Sequence, residues 1–193
     1  MPSQINKLNI PEDYTGFAVI GGSGAWSFSP GQLGKRLEAF SGICIETPFG
    51  EAAAIDFISP AEGAGCFAFI SRHGRQGYRI TASEVNYRAN LWALRKAGTT
   101  RIFAWSGPGA INTRFMPGEY VLPDDLIDLT RNRESTFFKG TGLGFIRQNP
   151  VFCPRMRPVL ASAVTSAGFV AHDNGVYAVT EGPRLETAAE VRM

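Results

Sequence analysis

Three apolar runs of strand length each end in a glycine turn that carries a polar side chain, and this repetition limits the fold more than any other feature. Phe17-Ala18-Val19-Ile20 runs into Gly21-Gly22-Ser23-Gly24, residues 66–70 stop at Ser71-Arg72-His73-Gly74-Arg75, and residues 101–105 meet Ser106-Gly107-Pro108-Gly109. A strand ending in such a turn exposes backbone N–H groups, and a hydroxyl or guanidinium adds donors for an anion. Ligands of open α/β sheets sit at the carboxyl ends of strands. The pattern therefore predicts an α/β fold whose strand ends gather around one small anion. The second turn is the richest, with Arg72, Arg75 and Arg79 around His73 and Arg88 in the segment it leads into, and guanidinium binds phosphate through a rigid fork of donors. Each turn alone also fits a tight turn or a solvated basic loop.

Composition points to a small ligand. The 193 residues, 44% hydrophobic and 19% charged, suffice for one domain, 1–193, with a sizeable core. A net charge of +2 is too balanced to argue for nucleic acid or membrane as partner. Cys44, Cys66 and Cys153 lack Cys-x-x-Cys spacing and the histidines are His73 and His172 alone, which argues against a metal site and for a reducing, cytoplasmic compartment. No signal-peptide core and no run of eighteen apolar residues is present.

Residues 43–50 read as a strand closed by a Pro/Gly turn and residues 53–59 as another. Their hairpin-like spacing around residues 66–70 predicts a mixed sheet. A helix is expected from Ser83 as N-cap through Lys96, with Val85, Ala89, Trp92 and Ala93 on its apolar face and Gly98 as C-terminal cap. Asn86, Tyr87 and Asn90 fit either a ligand-facing or a structural role. Residues 130–149 read as a long loop, 157–168 as a helix with Val159, Leu160, Ala163 and Val164 inward, 175–180 as a strand, and Ala188 onward as a helix. Since that helix stops at Met193, the chain is expected to be truncated. The dinucleotide pattern G-x-G-x-x-G fits only its first half, because position 27 is serine.

Taken in order, Gly21-Gly22-Ser23-Gly24, Arg72-His73-Gly74-Arg75, the segment from Ser83-Glu84-Val85-Asn86 to Leu94, and Glu181-Gly182-Pro183-Arg184-Leu185-Glu186-Thr187 resemble the trimeric purine nucleoside phosphorylase family. Within it they resemble the 5′-methylthioadenosine and 5′-methylthioinosine phosphorylase branch. The resemblance implies a nucleoside phosphorylase-like α/β fold with a mixed central sheet flanked by helices. It implies phosphorolysis in purine and methionine salvage: orthophosphate, the co-substrate, attacks the anomeric carbon and releases the base, with no metal or organic cofactor. It places phosphate at Ser23, Arg72, His73, Ser106 and Gly107, purine or ribose at Gly107, Gly109, Leu185 and Glu186, and a homotrimer as the assembly.

By the same resemblance, Glu186 stands where 6-oxopurine enzymes carry a carboxylate that accepts the purine N1–H. Adenine lacks that hydrogen, so carboxylate and N1 would meet as two acceptors. Glu186 thus leans toward 5′-methylthioinosine or inosine, while Arg72-His73-Gly74 and residues 130–138 resemble the methylthio branch. Tyr78 departs from a usual histidine, and Pro108 stiffens a turn that is usually rich in Ala or Gly. Relatives continue into a segment that supplies further ribose, phosphate and purine N7 contacts, so the chain alone is expected to be inactive and poorly stable. The competing readings are a general 6-oxopurine nucleoside phosphorylase, a hydrolytic nucleosidase, a binding-only fragment and, weakest, a nicotinamide-dependent oxidoreductase.

Overall fold

The computed structural model describes residues 8–25, 34–60, 65–142 and 144–193, in two compact units, Met1–Gly107 and Pro108–Met193. Positions 26–33, which carry the second half of the glycine pattern, lie outside the described residues. The first unit contains β1 (Tyr14–Gly21), β2 (Lys35–Arg36), β3 (Asp56–Ser59), β4 (Cys66–Ser71), α1 (Tyr87–Lys96) and β5 (Arg101–Trp105). Its strands form one sheet in the order β2-β3-β4-β1-β5. β1 is parallel to β4 and β5, whereas β3 is antiparallel to β4 and β2 to β3, so the sheet is mixed as expected. Residues 43–50 do not form the expected strand. They contribute a bridge from Ile43 to Ile55 and a turn in which the Thr47 hydroxyl donates to the Gly50 carbonyl at 2.6 Å. That hydroxyl occupies a backbone group a ladder would use.

Ile55, Phe57, Ile70 and Leu94 are fully buried with Ala18, Ala68, Ala89 and Ala93. Burying each of the four large side chains contributes about 1.5–3 kcal/mol, and the alanines allow close approach of helix and sheet. Cys66 shares this core. Burial, with Asp13 nearby, pushes its thiol up to about 12, which suits packing rather than nucleophilic chemistry.

α1 starts one turn later than expected. Its N-cap is Asn86, whose side chain accepts from the Ala89 N–H at 3.1 Å. Ser83 instead lies in a separate turn, where the Glu84 carboxylate accepts from the N–H and hydroxyl of Thr81 at 3.0 and 2.7 Å. This reproduces the side-chain pattern of a helix start without the helix. The buried face is Ala89, Asn90, Ala93 and Leu94, while Trp92 is 40% exposed and meets Phe49 edge-on at 5.5 Å. An indole is too large for a face built on alanine. Gly98, at φ 97°, ends the helix: the N–H groups of Gly98 and Thr99 reach the carbonyls of Arg95 and Leu94.

The second unit holds β6 (Tyr120–Val121), β7 (Asp125–Asp128), α2 (Met156–Ser166), β8 (Ala171–His172), β9 (Val176–Val179) and α3 (Ala188–Arg192). β6 pairs with β8 and β7 with β9, both parallel. The described residues of 130–149 form no helix or strand. α2 occupies the expected span, yet none of its residues is buried and Val159, expected inward, is 67% exposed. An amphipathic helix buries its stripe only against a broad face, and strands in pairs supply none. At the N-terminus of α3, Thr187 and Glu190 form a reciprocal capping box.

Candidate functional site

β4, β1 and β5 end level with one another: Gly21 lies opposite Ser71 on one side and Trp105 on the other. Parallel pairing aims all three carboxyl ends the same way, so the turns leave the sheet side by side. The Gly22 N–H donates to the Trp105 carbonyl at 2.7 Å, and the Arg72 N–H to the Gly21 carbonyl at 3.2 Å. A Cβ on residue 22 would stand 3.0 Å from Arg72 Nη1, 3.0 Å from the Trp105 oxygen and 3.1 Å from Ser106 Cα. Gly22, Arg72 and Ser106 are therefore immediate neighbours. Ser23 is exposed in its turn, Ser106 is half-buried and Gly107 is exposed.

His73 is fully buried, its ring stacked on Tyr78 with centroids 4.4 Å apart. Its Nδ1 lies 2.8 Å from the Ile80 carbonyl, which can only accept, so Nδ1 carries hydrogen and Nε2 of the neutral ring is an acceptor. Burial, reinforced by the Arg72 charge, lowers the pKa of the ring. His73 Nε2 and Arg72 Nε are both buried without a hydrogen-bond partner. The loop closes on itself: Ser71 Oγ donates to the Gly74 carbonyl at 2.7 Å, and the Arg79 N–H to the His73 carbonyl at 2.8 Å.

The basic cluster separates. Arg75 holds Asp56, with Nη2 2.7 Å from Oδ1 and Nε 3.2 Å from Oδ2. Asp56, 3% exposed, also accepts from the Ser41 hydroxyl and the Gly42 N–H, both at 2.8 Å. The sequence signal for this anchor is an aspartate inside an apolar strand run, since a buried carboxylate requires donors. Arg79 is exposed, and Arg88 lies 4.9 Å over the Phe49 ring. Asn86, Tyr87 and Asn90 are used internally: Asn86 Nδ2 donates to the Phe49 carbonyl, the Tyr87 hydroxyl to the Ala82 carbonyl, and Asn90 Oδ1 accepts from the Ala53 N–H at 2.7 Å.

In the second unit Gly109 is exposed, with open space where a Cβ would stand, and Leu185 is 89% exposed. Glu186 Oε1 accepts from the Thr180 hydroxyl at 2.6 Å. That bond, together with the residue's own N–H, holds the carboxyl below the usual carboxylate range. Among the described residues, no group of three or more His, Cys, Asp and Glu could hold a metal ion, and no helix is long and apolar enough to cross a membrane.

A sequence profile, that of the phosphorylase superfamily, matches residues 17–193. The chain belongs to this superfamily. Among its phosphorylase relatives, a 6-oxopurine nucleoside phosphorylase of Pyrococcus furiosus is 38% identical over 183 residues, covering 91% of this chain and 64% of that protein. An S-methyl-5′-thioadenosine phosphorylase of Hyperthermus butylicus is 38% identical over 194 residues, covering 100% of this chain and 66% of that one. Among solved structures, a methylthioadenosine phosphorylase from an antarctic soil metagenomic library has a TM-score of 0.81 at 34% identity, over 94% of this chain and 61% of that chain. The chain thus spans less than two thirds of the length of these phosphorylases.

Proposed function

We propose that this phosphorylase-superfamily chain serves phosphorolysis of a purine nucleoside, with a 5′-methylthiopurine nucleoside as substrate and free base and 5-methylthioribose 1-phosphate as products. The observation that carries this reading is the meeting of Gly22, Arg72 and Ser106 at three adjacent parallel strand ends. It combines a guanidinium, a hydroxyl and a glycine turn beside one another, the donor set a phosphate needs. Relatives named for both methylthioadenosine and 6-oxopurine substrates support the purine nucleoside class.

In this reading Arg72, Ser106, Ser23 and the backbone at Gly107 hold orthophosphate. The dianion is nucleophile and counter-charge at once: it opposes the positive charge that develops on the ribose as the glycosidic bond breaks. His73 is oriented by the Ile80 carbonyl so that Nε2 can accept the remaining proton of hydrogen phosphate. Gly107 and Gly109 border the ribose, Leu185 the purine face, and Glu186 accepts the N1–H of a 6-oxopurine. Phosphate is a co-substrate and no metal is assigned. The working enzyme is a cytoplasmic homotrimer in which residues 1–193 belong to one phosphorylase domain.

The test is base release from 5′-methylthioinosine, 5′-methylthioadenosine and inosine by the whole protein, with and without phosphate. Phosphate-dependent release of hypoxanthine, abolished in Arg72→Ala, is expected. Release that ignores phosphate would replace this reading with a hydrolytic nucleosidase, and faster release from inosine than from 5′-methylthioinosine with a general 6-oxopurine enzyme.

A further inference from the structure

We infer that Thr180 is a positioning residue for base selection: its hydroxyl fixes one oxygen of the Glu186 carboxylate and leaves the other for an N1–H donor on the base. The inference rests on the reading of Glu186 given above. Its basis is the 2.6 Å hydrogen bond from Thr180 Oγ1 to Glu186 Oε1, a charge-assisted contact between side chains six positions apart.

Thr180 is itself anchored. It follows β9 directly, where the Leu129 N–H donates to the Val179 carbonyl at 2.8 Å. Arg133 Nη2 donates to the carbonyls of Thr180 and Glu181 at 3.0 and 2.9 Å. Arg133 Nε is 3.6 Å from Glu181 Oε1, an ion-pair contact too long for a hydrogen bond. Glu181 Oε2 in turn accepts from the N–H groups of Arg131 and Asn132. The hydroxyl is thus presented by a strand end tied on two sides. A glutamate on an exposed segment otherwise explores several rotamers. Tethering one oxygen restricts the plane of the carboxylate and the direction of its second oxygen.

Protonation makes the tether chemically selective. The charged groups around Glu186 are Arg184 and Glu190, which act on its pKa in opposite directions, and the Arg184 guanidinium is already paired with the Glu190 carboxylate at 2.8 and 2.7 Å. The Thr180 bond is the largest of the causes that hold the carboxyl below the usual carboxylate range. An ionised carboxylate only accepts, so it matches a purine bearing N1–H and opposes adenine, whose N1 also accepts. A protonated carboxyl could donate to adenine and would erase that discrimination.

The experiment compares kcat/KM for 5′-methylthioinosine and 5′-methylthioadenosine, over a range of pH, in the whole wild-type protein, Thr180→Val, Thr180→Ser and Glu186→Gln. Thr180→Val is expected to lower the hypoxanthine-to-adenine ratio about fivefold and to move upward the pH at which the ratio collapses on acidification. Thr180→Ser restores both. A wild-type ratio and pH profile in Thr180→Val, alongside a changed ratio in Glu186→Gln, overturns the role of Thr180 and leaves Glu186 as selector. An unchanged ratio in Glu186→Gln overturns both. If Thr180→Val does not fold, the same ratio is read from hypoxanthine and adenine binding to Thr180→Ala, with the same two outcomes.

Discussion

Replacing Gly22 by alanine probes the junction of the three strand ends with a single methyl group. Its Cβ would lie 3.0 Å from the Trp105 carbonyl oxygen, 3.1 Å from Ser106 Cα and 3.0 Å from Arg72 Nη1. These distances are tighter than ordinary van der Waals contact, so each neighbour must yield by a few tenths of an ångström. Two of the three are backbone, and the Trp105 carbonyl cannot swing away without stretching its 2.7 Å bond from the Gly22 N–H. Overpacking of this kind costs about 1–3 kcal/mol, with no contribution from backbone strain because Gly22 is not in the left-handed region. The guanidinium tip gives way most easily, so displacement of Arg72 carries the functional cost. The expected result is a melting temperature several degrees lower and a phosphate KM raised about tenfold, a change of about 1.4 kcal/mol, while the nucleoside KM stays near its wild-type value. Thermal denaturation and a phosphate titration of base release measure the two effects, with Gly144→Ala, whose Cβ meets nothing within 4 Å, as the melting control. Wild-type melting and wild-type phosphate KM in Gly22→Ala would refute the argument.

Other substitutions separate anchoring from chemistry. Asp56→Ala strands the Gly42 N–H and the Ser41 hydroxyl, while Arg75, 40% exposed, recovers water; the cost is about 2–4 kcal/mol, and a loss below about 1 kcal/mol in urea unfolding would remove Asp56 as an anchor. Asn90→Leu leaves the half-buried Ala53 N–H without its acceptor and costs about 1–3 kcal/mol, read by the same method. Because burial lowers the His73 pKa, the unfolded chain takes up the proton more readily than the fold. Its contribution to stability is therefore complete above the unfolded value of 6.5 and declines as pH falls below it, by at most about 1.4 kcal/mol per pH unit; melting across that range should flatten in His73→Gln, and identical slopes would contradict a buried neutral ring. Leu185→Ala, at a side chain 89% exposed, should change stability by less than about 0.5 kcal/mol, and a larger loss in thermal denaturation would show that Leu185 packs in the fold.

Glycine turns after apolar runs were readable as strand ends because glycine and a strand boundary are both local properties. Their adjacency was not, since it depends on β1 lying between β4 and β5, a long-range pairing that leaves no local trace. The start of α1 is not where the sequence pattern puts it because Thr81 and Glu84 satisfy each other with the side-chain pattern of a helix cap, and Trp92 does not turn inward because an indole needs space that periodicity does not register. The strand expected over 43–50 failed where the Thr47 hydroxyl captured a backbone carbonyl. A carboxylate in an apolar run marks Asp56, but its partner Arg75 stands in the same basic turn as Arg72, and sequence does not separate an arginine that anchors from one that faces phosphate. Nothing local connects Thr180 to Glu186.

The place of β1 between β4 and β5 has a consequence for how the protein is made. β1 is synthesised before either strand it pairs with, and the hydrogen bonds that tie it down, from Thr15 to Cys66 and from Thr100 to Gly16, link positions 51 and 84 residues apart. A chain emerging from the ribosome therefore carries β1 unpaired until β4 has left the exit tunnel and paired on one edge alone until β5 follows, while the antiparallel β3–β4 pair can close as soon as both strands are out. Three parallel strand ends level with one another thus bring a slow, non-local folding step, and β1 is the segment that a nascent-chain chaperone would have most reason to hold.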